Sequence, residues 1–188
     1  MNKPRCAWPM NDALMIEYHD YEWGVPVHDD RKLFEFMALD AFQAGLSWST
    51  ILKRRENFRV AFDNFELEKI AGYDQTKINE LLQDAGIIRN KAKVNATVKN
   101  AKAFLVVQKE FGTFDRYIWQ FIGNQPIVNK WETMAEIPAK SVEAEAMSVD
   151  LKKRGFSFVG PTICYAFMQA AGMVNDHEVG CYRYSELT

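Results

Sequence analysis

Four residues are of types that hold metals and fall in two short stretches at opposite ends of the chain. One stretch, "CAWPMNDALMIEYH", runs from Cys6 to His19; the other, "HEVGC", runs from His177 to Cys181. Two thiolates and two imidazoles make a donor set suited to tetrahedral zinc. Either pair alone is a weak signal. Together they use two of the three histidines and two of the three cysteines. A metal held by all four would clip the N-terminal segment, about residues 1–25, to the C-terminal one, 174–188. A shell filled by four protein ligands has no open position, so such a zinc is structural and does not activate water. His177 and Cys181 also admit another reading, a thiol nucleophile beside its base. Cys164, inside "PTICYAFMQAAG", reads as packing, and His28 as a surface residue.

A second constellation centres on "ALDAFQAGLSWSTI", which sets Asp40 among apolar residues. A buried carboxylate is costly unless it is paired or hydrogen-bonded. Backbone amides at a helix end would satisfy it; otherwise it forms the floor of an aromatic pocket. A flexible Gly45, an apolar Leu46 and Trp48 follow, while Trp8, Tyr18 and Trp23 crowd the first segment. Aromatic residues make up 13% of the chain, so core filling explains many of them.

"LLQDAGIIRNKAKV" joins two helical stretches through a short link from Gly86 to Asn90. This is either a plain turn between helices or a helix-hairpin-helix. In the latter, free amides at the start of the second helix point at a DNA phosphate. Arg89, Lys91 and Lys93 would add charge there, although Ile88 stands where such hairpins often carry a second glycine. The net charge of −2 excludes a whole-protein field as the driver of nucleic-acid binding. "KRR" at Lys53 to Arg55 and "KKR" at Lys152 to Arg154 are local clusters, either solvated helix faces or phosphate contacts.

The elements that must position these residues are helical. Leu33, Phe34, Met37 and Phe42 share a face. Ser47 caps a predicted helix running through Phe62, and Asp74 caps another whose face is Ile78, Leu81, Leu82 and Ala85, with Gly86 as its stop. A long helix ends at Gly112, a short one follows, and residues 126–138 form a loop-rich connection. Two more helices complete the pattern, the last with Pro161 at its first position. Strand-like alternation does not persist, so the expected class is all-α, in one domain spanning 1–188. No apolar run is long enough to cross a membrane, and the first ten residues lack a signal peptide's apolar stretch; the expectation is a cytoplasmic monomer.

Taken in order, "CAW", "YHDYEWGVP", "FQAGLSWSTILKRRENF", "DAGIIRNKAKV" and "KKRGFSFVGPTICYAFMQAAGMVNDHEVGC" resemble the type I 3-methyladenine DNA glycosylases, a bacterial branch of the helix-hairpin-helix glycosylases. The likeness covers nearly the whole length. It implies base-excision repair: double-stranded DNA carrying alkylated bases as partner, and release of N3-methyladenine by cleavage of its N-glycosidic bond. It also implies one structural zinc on Cys6, His19, His177 and Cys181. Tyr18 and Trp48 match a pocket tyrosine and the tryptophan on which the base stacks; Trp8 and Trp23 match further pocket aromatics. Asp40 stands where the family commonly has Glu, and Met15 where some members have a pocket tyrosine.

These residues suit that chemistry. N3-methylation makes the adenine cationic and already a good leaving group. The protein must flip the nucleotide out of the stack, at a cost of a few kcal/mol, with Gly45 and Leu46 as candidates for the probe that fills the gap. Tryptophan faces favour a cationic ring by about 0.5–2 kcal/mol. A carboxylate accepts a hydrogen bond from the exocyclic amine. The long helix after the hairpin has no Asp, and its first acid is Glu110. The expectation is a monofunctional enzyme without strand cleavage. The competing reading is a zinc-stabilised DNA-binding protein without catalysis.

Overall fold

A computed structural model describes residues 3–188. Side chains that compete for backbone hydrogen bonds fix where the helices begin. Asp12, Asp29, Ser47, Asp74, Asn90, Thr113 and Ser141 each accept a first-turn N–H, starting α1 (Ala13–Tyr21), α2 (Asp30–Gln43), α3 (Trp48–Leu52), α6 (Gln75–Gln83), α7 (Lys91–Phe111), α8 (Phe114–Trp119) and α9 (Val142–Lys153). Between α3 and α6 lie α4 (Arg55–Ala61) and α5 (Leu67–Ala71); α10 (Pro161–Ala170) opens on its proline, and α11 (Tyr182–Glu186) closes the chain.

Helix α2 is the axis of the molecule. Ten successive residues, Leu33 to Phe42, are buried, so it is enclosed on all sides. Phe42 packs on Phe58 with ring centroids 4.7 Å apart, and Phe34 on Phe104 at 5.4 Å. Arg55 enters this core paired on both sides: Nε donates to Glu35 at 2.7 Å, and its two terminal nitrogens donate to Glu22 at 2.7 and 2.8 Å. Breaking such a buried pair would leave an uncompensated charge.

The helical class holds, with one addition. Ile127–Val128 (β1) and Val174–Asn175 (β2) form a two-residue parallel pair, too short to show as alternation. The helix expected from Ser47 to Phe62 is broken at Lys53 and Arg54, because its two halves bury different faces. Ile51 of α3 is buried in the core, whereas Phe58 and the following Phe62 face Phe42. "KRR" is therefore no plain solvated face. Lys53 pairs with Asp12 at 3.2 Å, Arg54 donates to the Ala85 and Gly86 carbonyls, and Arg55 is in the core.

Gly86 is not the stop of α6, which ends at Gln83 with Asp84 as its cap. Its requirement is space. A Cβ there would lie 2.9 Å from the Asp84 carboxylate and 3.1 Å from Asn57. Ala85, placed on the apolar face by its spacing, is exposed.

Gly172 is the tightest approach. It has a φ of +65°, and a Cβ would stand 2.2 Å from the Val25 carbonyl carbon. Here residues 24–27 run along the end of α10: the Gly24 and Val27 amides donate to Gln169 and Ala171, each at 3.0 Å.

Candidate active site

Tyr18 and His19 leave α1 side by side. His19 meets the C-terminal segment, where α11 begins after Cys181. The Nε2 of His19 lies 3.4 Å from the Cys181 sulfur, and the Nδ1 of His177 lies 3.5 Å from Cys6 Sγ and 3.6 Å from Cys181 Sγ. All four side chains are buried, with their ligating atoms within 4.8 Å of one another. A tetrahedral zinc with sulfur at 2.3 Å and nitrogen near 2.05 Å requires N···S edges of about 3.5 Å. The donor set and its spacing therefore fit zinc.

The other ring nitrogens fit as well. His19 Nδ1 lies 2.8 Å from Asp20, and His177 Nε2 lies 3.0 Å from the Trp23 carbonyl, so each ring can donate outward and turn its lone pair inward. Asp20 is gripped by Arg5 through two hydrogen bonds of 2.8 Å, which hold its carboxyl well below the usual range. The hydrogen bond between the two cysteines raises the Cys6 thiol and lowers that of Cys181.

A cavity of about 200 Å³ lies beside this cluster, lined by Trp8, Met15, Tyr18, Trp23, Asp40, Gln43, Trp48, Met134, Ala166 and Gln169. Cluster and cavity share a wall. Trp8 stands 5.4 Å from the His19 ring and Trp23 4.6 Å from that of His177, while Trp8 and Trp23 meet edge to face at 5.2 Å. Tyr18 lies 5.2 Å from Trp48.

The wall carries polar atoms with nothing to bond. Trp8 Nε1, Asp40 Oδ2 and Trp48 Nε1 are buried without a hydrogen-bond partner among the described residues. Each such atom costs about 1–3 kcal/mol, a cost that a ligand with matching groups relieves. Burial pushes the Asp40 carboxyl well above the ordinary range; the Arg55 charge pulls the other way but is already matched by Glu22 and Glu35. The Tyr18 phenol is likewise held far above its usual value, first by burial and then by Asp40.

The structure thus brings together Trp8, Tyr18, Trp23, Asp40 and Trp48. Gly45 and Leu46 sit just outside, both exposed, Gly45 with a φ of +80° that a side chain would strain. Arg89 and Lys91 are exposed in the α6–α7 hairpin, away from the cavity lining. Gln43, Met134, Ala166 and Gln169 escape the sequence reading. Gln43 is the traceable one, a turn beyond Asp40 on α2 and so on the same face. Gln169 comes from a distant helix, where its amide donates to Asp176 at 2.8 Å. That buried carboxylate also accepts from Tyr165, Asn129 and Trp131, pinning the far wall. His28 is exposed as expected but not isolated, standing 2.7 Å from Asp115.

Three comparisons bear on this arrangement. The model of the methyladenine glycosylase family matches residues 8–184. The DNA-3-methyladenine glycosylase 1 of Escherichia coli (strain K12) is 49% identical over 180 residues, covering 96% of each chain. A crystal structure of a 3-methyladenine DNA glycosylase I superposes with a TM-score of 0.93 at 46% identity, over 95% of this chain and 98% of that one. A second, from Staphylococcus aureus and described as the structural basis of 3-methyladenine recognition, gives 0.92 at 34% identity and 95% coverage of both. The zinc-fitting cluster, the aromatic cavity and its unpaired carboxylate sit in a chain that belongs to the methyladenine glycosylase family.

Proposed function

We propose that this protein is a monofunctional DNA glycosylase of base-excision repair, releasing N3-methyladenine from alkylated double-stranded DNA. The observation that carries the reading is the buried Asp40 Oδ2, unpaired at the wall of a cavity lined mainly by tryptophan, tyrosine and methionine. A flat cationic base with an exocyclic amine supplies what that wall lacks. Trp48 stacks on its face, Asp40 accepts from its amine, and Tyr18, Trp8 and Trp23 complete the enclosure. Neutral adenine gains less from both the ring faces and the carboxylate.

The chemical step follows from the lesion. The C1′–N9 bond breaks with its electrons passing to the base, which leaves as neutral 3-methyladenine. Water adds to the sugar cation at C1′ and loses a proton, leaving an abasic site. The residues flip, hold and discriminate; none need form a covalent bond. The exposed Gly45–Leu46 tip, next to the cavity mouth, is the probe for the vacated stack. The α6–α7 pair acts as the helix-hairpin-helix, gripping phosphate with the first amides of α7 and the exposed Arg89 and Lys91. Cys6, His19, His177 and Cys181 would hold zinc as a structural clip, and the protein acts as a monomer.

The test is incubation of methylated duplex DNA with the purified protein and chromatography of the released bases. Release of 3-methyladenine without strand cleavage at the resulting abasic sites is the expected result. No release by a zinc-loaded protein would leave a DNA-binding module instead, and lyase activity would contradict the monofunctional step.

A further inference from the structure

Lys93 stands in the first turn of α7, immediately after the hairpin, yet its side chain turns into the protein towards the end of α2. Its side chain is buried, and Nζ donates to the Phe42 carbonyl at 2.8 Å and the Ala44 carbonyl at 2.6 Å. These are among the last carbonyls of α2, which have no partner inside their own helix. Gln43 O is taken by the Leu46 amide at 2.7 Å, so Lys93 and the turn itself together satisfy this helix end. The last turn of α2 has no basic residue of its own, and a cation there is favoured by the helix dipole. Burial lowers the lysine's hold on its proton, a cost that the two carbonyls offset.

A second set of bonds crosses the same gap in the opposite direction. Arg54, at the corner between α3 and α4, donates to the Ala85 and Gly86 carbonyls, and Asn57 also donates to Gly86. The hairpin is therefore pinned on both sides of the segment 42–54, at whose exposed tip stand Gly45 and Leu46.

We infer that Lys93 is a positioning residue which latches the Gly45–Leu46 tip to the DNA-gripping hairpin, so that docking on phosphate and insertion of the tip become one rigid-body event. The inference rests on the glycosylase reading above and on the tip as its probe. Lys93 does not touch the base. It acts through the turn that follows α2, while Asp40, a full turn deeper in the buried part of that helix, keeps its place without it.

Single-turnover release of 3-methyladenine from two substrates, a lesion in duplex DNA and the same lesion in a single strand, separates this role from a general structural one. Lys93→Met is expected to slow the duplex reaction by about 100-fold, as loss of fixed geometry does. The single-strand reaction, where flipping costs little, should change by less than about threefold. Binding of free 3-methyladenine, followed by tryptophan fluorescence, should be unchanged, and Lys93→Arg should recover most of the duplex rate. Lys93→Gln, which keeps an N–H donor, carries the same comparison if the methionine variant melts below the assay temperature. Equal losses on both substrates, or no loss on the duplex, would overturn the latch. Failure of the wild-type protein to release base would instead remove the glycosylase reading.

Discussion

The Nδ1 of His19 lies 2.8 Å from Oδ1 of Asp20, its own neighbour in the chain. The pair fixes which nitrogen of the ring faces the sulfurs, and Arg5 holds the carboxylate in place. Removing such an outer partner of a metal ligand costs about 10- to 100-fold in affinity. Asp20→Asn is expected to weaken zinc binding by that factor, measured by competition with a chromogenic chelator, while Cys6→Ser abolishes it.

Asp40→Asn keeps the shape of the side chain and removes the carboxylate that a bound cationic base would hold ionised. A hydrogen bond to a charged group contributes about 1.5–3 kcal/mol, so kcat/KM for 3-methyladenine release should fall by roughly 10- to 150-fold. Asp40→Glu should retain activity, because the extra methylene brings the carboxylate closer to the base. An asparagine variant as active as the wild type would remove the assigned role of Asp40.

The same residue makes stability depend on pH. In the unfolded chain an aspartate ionises near pH 4, whereas in the folded protein burial keeps Asp40 protonated well above that. The folded state binds the extra proton, so this contribution is complete below about pH 4 and is lost as pH rises towards the raised value. The thermal midpoint of Asp40→Asn relative to wild type should therefore climb as pH rises above about 4. A constant difference across that range would show that Asp40 ionises normally.

In the proposed binding mode Trp48 supplies the stacking face. Trp48→Leu keeps an apolar wall without the ring, and base affinity should weaken by about 2- to 30-fold, the span of a cation–π contact. The loss should be larger for a cationic purine than for a neutral one. An equal loss for both would make Trp48 a plain apolar surface.

Gly172→Ala would force a methyl group into the Val25 backbone, which stands 2.2 Å from the Cβ position, at a φ of +65°. The left-handed conformation alone costs about 1–2 kcal/mol for a side chain. The clash adds to it, so the thermal midpoint should drop by more than about 4 °C. A midpoint within a degree of wild type would mean that residues 24–27 yield freely.

The parts of this fold that are visible in the sequence are those with a local cause. Ser47 and Asp74 cap helices where their types require it, and Gly112 ends α7 with a φ of +87°. Helix α1 is harder to see because it has no apolar stripe; its buried residues are Tyr18, His19 and Asp20, held by the metal-fitting cluster and by Arg5. Gly86 carries no local sign that crowding by Asp84 and Asn57, and not a left-handed turn, demands a glycine there. In the site, Asp40 stands out as the one acid in an apolar run. Gln169 does not, because its place is set by Asp176 and a network spanning 45 or more residues on the Asn129 and Trp131 side.

The four-ligand cluster spans a separation of 171 residues between Cys6 and His177. At roughly 5–20 residues per second, a ribosome needs on the order of 10–30 s to make that stretch. Throughout it Trp23, made first, waits without the His177 ring that backs it. The nascent protein has helices, a hairpin and even Asp40, but not a closed wall. Completion of the pocket wall thus comes late in translation, and a chain cut short before His177 would carry the proposed DNA-gripping hairpin without the closed wall.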